Sequence, residues 1–455
     1  MSISTKPASG FRDFLPPQAR LRARVFNIIR EVYESYGFDP LETPCFERLS
    51  TLLGKYGDEG DQLLFRVLHR GRKLEKAIAA PDTDENTLAE LGLRYDLTVP
   101  LARIYAQYRN ELPSFFKRYQ IAPVWRADRP QKGRFREFYQ CDVDVVGSTS
   151  MTVEAEVTGA LAEVLRRLEF GGVRIHVNHR GLLRAIILKA GVPVELETEA
   201  LVAIDKLDKI GQDGVVKELG ERGISAQSVQ TLMELIGITT EGTPGSFTNT
   251  QTLTRLREAL DGVEQGAHAI DELEQLLRYA QAGPSGPLLY IDPSLARGLS
   301  YYTGPIFEIR SDDFSGSLGG GGRYDGLVGM FSKQSVPACG FSLGVERILV
   351  LMEDRGVSQV QQSGADVMVT LWDEDFTPQS MALAHELRTA GLKVDVYPAH
   401  DKYKKQFKYA NERHIPKVVI FAPKEQEAGQ IGIKDMVSGE QVTVARKDLV
   451  ATLMG

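Results

Sequence analysis

Between Gln18 and Tyr36 the apolar residues Leu21, Val25, Ile28, Ile29, Val32 and Tyr36 return every three or four positions, and Gly37 ends the run. That rhythm predicts a long amphipathic helix. From Leu93 to Ile104, and again from Phe115 to Val146, the period drops to two, which predicts strands with unlike faces. Helical spacing returns over Val153–Leu168 and dominates roughly 195–283, interrupted by the turn-rich ITTEGTPGSFTNT; this stretch is expected to form an inserted helical module. Strand-like, glycine-rich sequence resumes at Leu288 and continues to about 350, after which DRGVSQVQQSG reads as a linker. Beyond it the apolar runs VMVTLW, KVDVYP and KVVIFA alternate with helical segments around Met381–Ala390 and Tyr403–Arg413, predicting a small α/β unit.

The segment KRYQIAPVWRADRPQKGRFREFYQCDVDVVG, residues 117–147, reads as two antiparallel strands joined by a polar loop, with Pro123 weakening the first because it cannot donate to a ladder. In the second strand Phe135, Glu137, Tyr139, Cys141, Val143 and Val145 share one side, and Arg136, Phe138, Gln140, Asp142 and Asp144 share the other. LRYDLTV is expected to be a further strand, with Arg94, Asp96 and Thr98 opposed to Leu93, Tyr95, Leu97 and Val99. Such polar faces are either solvated or line one cleft.

At 455 residues and ~150 residues per domain, about three domains are expected, and 42% hydrophobic with 25% charged residues is ordinary globular composition. The 54 Lys and Arg against 61 Asp and Glu leave a net charge of −7, so a polyanionic partner must be met by a local basic patch. Cys45, Cys141 and Cys339 have neither disulfide-framework nor thiolate-zinc spacing, which points to a reducing cytoplasm. An apolar leader and an 18-residue apolar run are both missing from the sequence, so neither secretion nor a membrane span is expected. The seven histidines form no metal-ligand pattern; His176 and His179 are expected to be structural, and no metal site is expected in the protein itself. There is no G-x-x-x-x-G-K-[ST] phosphate loop, and GSLGGGGRYDG, 316–326, reads equally as close strand packing or as a ligand loop. A nucleotide bound here would need arginine forks, for which Arg126, Arg134, Arg136, Arg323 and Arg347 are available.

Taken together these segments resemble the histidyl-tRNA synthetase family of class II aminoacyl-tRNA synthetases over nearly the whole chain. YGFDPLETPCFE with Pro44 is similar to motif 1, Arg126–Gln140 to motif 2 and GFSLGVERI, 340–348, to motif 3; LARGLSYYTGPIFE, 295–308, and GGRYDGL, 321–327, resemble the histidine-specific signatures. The resemblance implies an α/β (α+β) fold, with a class II antiparallel-sheet catalytic core, a helical insertion and a small C-terminal α/β anticodon-binding domain. The core would span 1–190 and 286–355, the insertion 191–285 and the anticodon domain 365–455. For ATP, the resemblance implies Arg126 at the α-phosphate, Arg134 at the terminal phosphates, Arg347 and Phe138 on either side of the adenine, and Asp128 beside it. Asp128 stands where many relatives carry a glutamate. For L-histidine, it implies Asp96, Thr98 and Gln140 at the α-amino group, Asp144 and Tyr302 at the imidazole with Tyr301 alongside, and Arg297 bridging the carboxylate and the α-phosphate. Arg126 and Arg297 would be catalytic. Ser300 stands where the signature usually has aspartate, and LRYDLT replaces a common LRPEGT.

The implied reaction is ATP-dependent attachment of histidine to tRNA(His) through a histidyl-adenylate, with Mg2+ on the phosphates, in a cytoplasmic homodimer. Lys404, Lys405 and Lys408 would form a basic patch for tRNA on the last domain, or otherwise a solvated helix face. The alternative is a catalytically silent regulatory subunit of ATP phosphoribosyltransferase with the same fold. Such regulators usually lack the C-terminal unit and the ATP-site arginines, both of which are present here. A tRNA-sensing pseudoenzyme fused to an effector domain is disfavoured by length.

Overall fold

The computed structural model describes residues 3–55, 57–239, 248–296, 301–332, 334–355 and 363–454. The chain divides into two compact units, Met1–Asp13 with Arg22–Arg355, and Phe14–Leu21 with Gly356–Gly455.

The first unit is organised around the part of α1 (Pro16–Ser35) from Arg22 onward, whose Val25, Ile29, Val32 and Tyr33 are fully buried, as the apolar spacing requires. Gly37, at φ 73°, takes the left-handed turn that ends it. The chain then forms β1 (Asp39–Pro40) and a small sheet of β2 (Phe46–Arg48), β3 (Arg66–Leu68) and β4 (Ala89–Leu93) in the order β2-β4-β3. Short helices α2 (Leu49–Leu52), α3 (Gly57–Gln62) and α4 (Arg72–Ile78) lie between these strands in sequence. LRYDLTV is not the strand its alternation suggests. β4 stops at Leu93, residues 94–97 are irregular, and α5 (Thr98–Tyr108) begins at once. Asp96 Oδ1 accepts the Val99 backbone N–H at 3.1 Å and Pro100 sits in the first turn, so the aspartate and the proline start a helix here. Arg94, Tyr95, Asp96 and Leu97 are all buried, so neither parity faces solvent.

The expected hairpin forms as β5 (Phe116–Trp125) and β6 (Glu137–Val146), paired antiparallel from Phe116↔Val146 to Trp125↔Glu137. Pro123 is tolerated because β1, the neighbour on its other side, pairs only with Arg118 and Tyr119. After α6 (Thr152–Arg167), β7 (Val173–His179) and α7 (Arg180–Lys189), the insertion contributes α8 (Glu197–Ile204), α9 (Leu207–Glu221), α10 (Ala226–Ile236), α11 (Asn249–Ala259) and α12 (Glu264–Ala280). Leu219, Leu232, Leu253, Leu256 and Leu273 are fully buried within it. A Thr248–Gln251 capping box opens α11.

The chain returns through β8 (Leu289–Ile291), β9 (Pro305–Ser311), β10 (Phe314–Arg323) and β11 (Ala338–Gly344), which closes an eight-stranded sheet in the order β1-β5-β6-β11-β10-β9-β7-β8. Every pair is antiparallel except β1–β5 and β7–β8. The glycine run is therefore a strand interior, not a ligand loop. Strand character also stops short of 350, because α13 (Val345–Asp354) follows β11 directly.

In the second unit, β12 (Val367–Val369), α14 (Thr377–Thr389), β13 (Val394–Val396), α15 (Tyr403–Glu412) and β14 (Lys417–Ile420) form the expected α/β alternation. The helix α16 (Pro423–Glu427), the antiparallel strands β15 (Gln430–Asp435) and β16 (Gln441–Ala445), and α17 (Leu449–Met454) complete it, with sheet order β13-β12-β14-β15-β16. Among the described residues no helix is long and apolar enough to cross a membrane.

Candidate active site

The register of the large sheet aligns polar residues across three strands. Ala122, Gln140 and Gly344 form one row, Gln120, Asp142 and Ser342 the next, and Arg118, Asp144 and Gly340 the third. Because side chains alternate, all three rows share one face, while Cys141, Val143, Phe341 and Leu343 pack on the other. The polar face is not solvated: Gln140, Asp142 and Asp144 are only 8%, 1% and 2% exposed.

Asp144 is ion-paired with Arg118, Nη2 to Oδ2 at 2.8 Å, and its Oδ1 accepts the hydroxyl of Tyr324; Arg118 Nη2 donates its hydrogen bond to Leu97 O at 3.1 Å. Burial pushes the Asp144 carboxyl up, opposed by the Arg118 guanidinium and the Tyr324 hydroxyl. Asp142 is pushed up to about 7 by the same burial, against Arg118 and with Asp144 adding repulsion. Gly340 makes room for this pair: a Cβ there would lie 1.9 Å from Asp144 Oδ1. Gln140 Nε2 donates to Ser342 Oγ at 2.6 Å. Tyr301 is buried with its ring 5.0 Å from Tyr302 and 6.0 Å from Tyr324, so both signature tyrosines reach the end of the face that holds Asp144. Asp96 is buried at the start of α5, and Thr98 is the first residue of that helix. Arg297 and Ser300 lie outside the described residues.

Beyond the end of β5, the Arg126 guanidinium lies 4.2 Å from the Tyr95 ring centre and 5.1 Å from that of Phe138, and its Nε donates to Tyr95 O at 3.1 Å. In the hairpin loop Arg134 Nη2 meets Asp128 Oδ1 at 2.7 Å, and Asp128 is buried. Gly133, at the tip, packs toward the Arg347 side chain, and Arg347 donates to Ser317 O. The loop thus brings Arg134 and Arg347 to one end of β6. Two of the five candidate arginines are committed elsewhere. Arg323 lies on the opposite face, 4% exposed, bound to Glu154 at 2.6 Å and to Ser148 O at 2.9 Å. Arg136 donates to Asp128 O and Ser9 O, tying the N-terminal segment to the loop.

Three groups of this site were not singled out in the sequence. Arg118 has the right parity on β5 to face Asp144, its partner across the ladder. Tyr324 lies inside the quoted GGRYDGL. Glu346, next to Arg347, is buried and accepts from Arg22 at 2.8 Å, from Arg12, and from Tyr139 N at 3.3 Å. The two histidines have structural partners: His176 Nδ1 meets Asp292 at 2.8 Å, and His179 caps α7 and meets Glu272 at 2.7 Å. Among the described residues no cluster of three His, Cys, Asp or Glu side chains could hold a metal. In the second unit Lys404, Lys405 and Lys408 project from α15 into solvent, with Lys405 paired to Asp401 at 2.7 Å and Lys408 to Glu412 at 3.6 Å.

Comparison with known proteins bears on the whole chain. The model of a family described as histidyl-tRNA synthetase matches residues 10–348, and that of an anticodon binding domain matches 365–454. A histidine–tRNA ligase of Porphyromonas gingivalis is 43% identical over 442 residues, covering 95% of each chain. The crystal structure of histidyl-tRNA synthetase from Nostoc sp. PCC 7120 superposes with a TM-score of 0.84 at 30% identity, covering 100% of this chain and 99% of that one. A Bacillus halodurans structure titled as an ATP phosphoribosyltransferase regulatory subunit/histidyl-tRNA synthetase shares the fold, with a TM-score of 0.73 at 21% identity over 89% of this chain and 97% of that one. The near-full-length match to a ligase, anticodon domain included, supports the ligase over the regulatory subunit. The chain therefore belongs to the histidyl-tRNA synthetase family and is a histidine–tRNA ligase that uses ATP to join histidine to its tRNA.

Proposed function

We propose that histidine is activated on the polar face of β6, with its imidazole toward Asp144, Tyr301 and Tyr302, and its α-amino group toward Asp96, Thr98 and Gln140. The observation that carries this reading is a buried polar floor in the middle of the sheet, with Arg126 beyond one end of it. ATP lies across Phe138, with Arg126 at the α-phosphate, Arg134 at the terminal phosphates, Asp128 near the adenine and Arg347 over it. The histidine carboxylate is ionised at neutral pH and attacks the α-phosphorus without a general base; the bond to the β-phosphate oxygen breaks and pyrophosphate leaves. Arg126 and Arg297 offset the charge gathering on the phosphoryl oxygens. A tRNA ribose hydroxyl then attacks the adenylate carbonyl and AMP leaves.

Mg2+ supplies further charge neutralisation when bound. Such a cation would be carried in largely on the triphosphate oxygens. Residues 365–455 act as the anticodon-binding domain, while 1–190 and 286–355 form the catalytic core around the insertion 191–285. The protein works as a homodimer in the cytoplasm. In support, Phe46 at the end of motif 1 and Leu68 of the same small sheet are 50% and 57% exposed, an unusual place to leave apolar side chains unless a partner covers them. Histidine-dependent exchange of pyrophosphate into ATP, run against the other amino acids, tests the site assignment. Exchange with histidine alone supports it, and exchange that is indifferent to the amino acid would overturn it.

A further inference from the structure

The resemblance assigns the substrate's α-amino group to Asp96, Thr98 and Gln140. The structure adds to that set. In the middle row of the polar face, Gln120 and Asp142 stand directly opposite each other on β5 and β6, 3% and 1% exposed. Gln120 Nε2 donates to Thr43 Oγ1 at 3.1 Å, leaving Oε1 buried without a hydrogen-bond partner; Asp142 Oδ1 and Gln140 Oε1 are in the same condition. A buried polar atom left unsatisfied loses its hydration without replacement, so three on adjacent rows of one face need a reason. All three are acceptors; the unpartnered donors of this face, Arg118 Nε and Nη1, lie in the next row beside Asp144. The matching ligand must therefore bring N–H donors, and the charges say it is cationic: Asp96, Asp142 and Asp144 are buried together, while Arg118 is the basic side chain in their rows. An alkylammonium carries three donors and one positive charge.

Resting on the reading above, we infer that Asp142, with Gln120 beside it, completes the receptor for the histidine α-ammonium group and supplies its principal counter-charge. Asp144 takes that part less readily, since its charge is already paired with Arg118 and its Oδ1 accepts from Tyr324. Ser342 links the new residues to the old: its hydroxyl accepts from Gln140 and it stands directly opposite Asp142 on β11, so Gln140 and Asp142 flank the same point. Burial and the neighbouring carboxylates push the Asp142 carboxyl up to about 7, and a cation beside it would favour the ionised form.

The test compares two ligands that differ only in the amino group, histidine and 3-(imidazol-4-yl)propionate, on the wild type and on Asp142→Asn and Gln120→Leu. Losing a hydrogen bond to a charged group should raise the histidine KM in pyrophosphate exchange roughly 10- to 100-fold for Asp142→Asn, and less for Gln120→Leu. The ATP KM and the affinity for the propionate should stay within about twofold, the latter also showing that the pocket is intact. Equal losses for both ligands, or a histidine KM unchanged in both variants, would overturn the inference. If Asp142→Asn does not fold, Gln120→Leu decides alone by the same comparison. Failure of the wild type to exchange with histidine would instead remove the site reading on which this rests.

Discussion

Arg118 and Asp144 face each other across the β5–β6 ladder, 2.8 Å from Nη2 to Oδ2, and their side chains are only 0% and 3% exposed. Removing one partner of such a pair strands the other charge in a medium that cannot solvate it, at about 3–5 kcal/mol. Arg118→Met should therefore lower the urea midpoint sharply, and Arg118→Met with Asp144→Asn should recover part of that loss. Both should lose histidine-dependent exchange. An Arg118→Met protein as stable as wild type would show that the pair is not formed in solution.

Gly340→Ala is expected to act on the same pair from the neighbouring strand. The new methyl carbon would overlap Asp144 Oδ1 at 1.9 Å and approach Val143 O at 2.8 Å, and backbone cannot swing aside as a flexible side chain does. Overpacking of this kind typically costs 1–3 kcal/mol. Thermal melts should show that loss together with a raised histidine KM, while the ATP KM changes little.

Stability should also respond to pH through Asp142. Its folded pKa of about 7 lies above the ordinary carboxylate value of 3.8. Below that ordinary value both states hold the proton and nothing is lost; as pH rises toward 7 the unfolded chain releases its proton first, and native stability falls. The groups facing Asp142 are Arg118 and Gln120 on β5, Gln140 and Asp144 on β6, Ser342 on β11 and Asp96 before α5, and of these only Arg118 opposes the shift by its charge. Asp142→Asn should flatten the fall, leaving the variant more stable than wild type at pH 7.5 but not at pH 4. Parallel pH profiles for the two proteins would contradict this.

At the nucleotide end, Arg126→Ala and Arg297→Ala should each keep the fold and reduce the rate of adenylate formation by ~10²- to 10³-fold, the usual loss for a donor aimed at developing charge. Far-ultraviolet circular dichroism checks the fold and single-turnover quenching the rate. Near-wild-type formation in either variant removes that arginine from the mechanism.

Replacing Lys404, Lys405 and Lys408 together with glutamine should weaken tRNA binding without touching pyrophosphate exchange. If all three meet phosphates, the slope of log affinity against log salt should become shallower by roughly 2, at ~0.7 per contact on single-stranded RNA. An unchanged slope would make these lysines a solvated helix face and nothing more.

Legibility from sequence followed burial. The β5–β6 hairpin could be read because one of its faces is mostly apolar, and α1 because its stripe holds for about four turns. LRYDLTV misled because a segment buried on all sides carries no face information, so its period of two was accidental; Asp96 and Pro100 were the better signals. Arg323 was offered to a nucleotide because residue type shows charge but not parity. Its strand pairs it with Cys339 and turns it toward Glu154 on α6. The partners of Asp144 come from β5 and from the turn after β10, and only the folded sheet shows that Arg118 and Tyr324 converge on one carboxylate.

The strand order also sets a schedule for synthesis. β6 is complete at Val146, but its neighbour β11 does not start until Ala338, with five helices of the insertion made in between. At ~5–20 residues per second the ribosome leaves that edge open for roughly 10–40 s, its carboxylates without the strand that will cover them. A nascent chain in that interval is a half-sheet awaiting its closing piece, which makes β6 the place where a chaperone has most to protect.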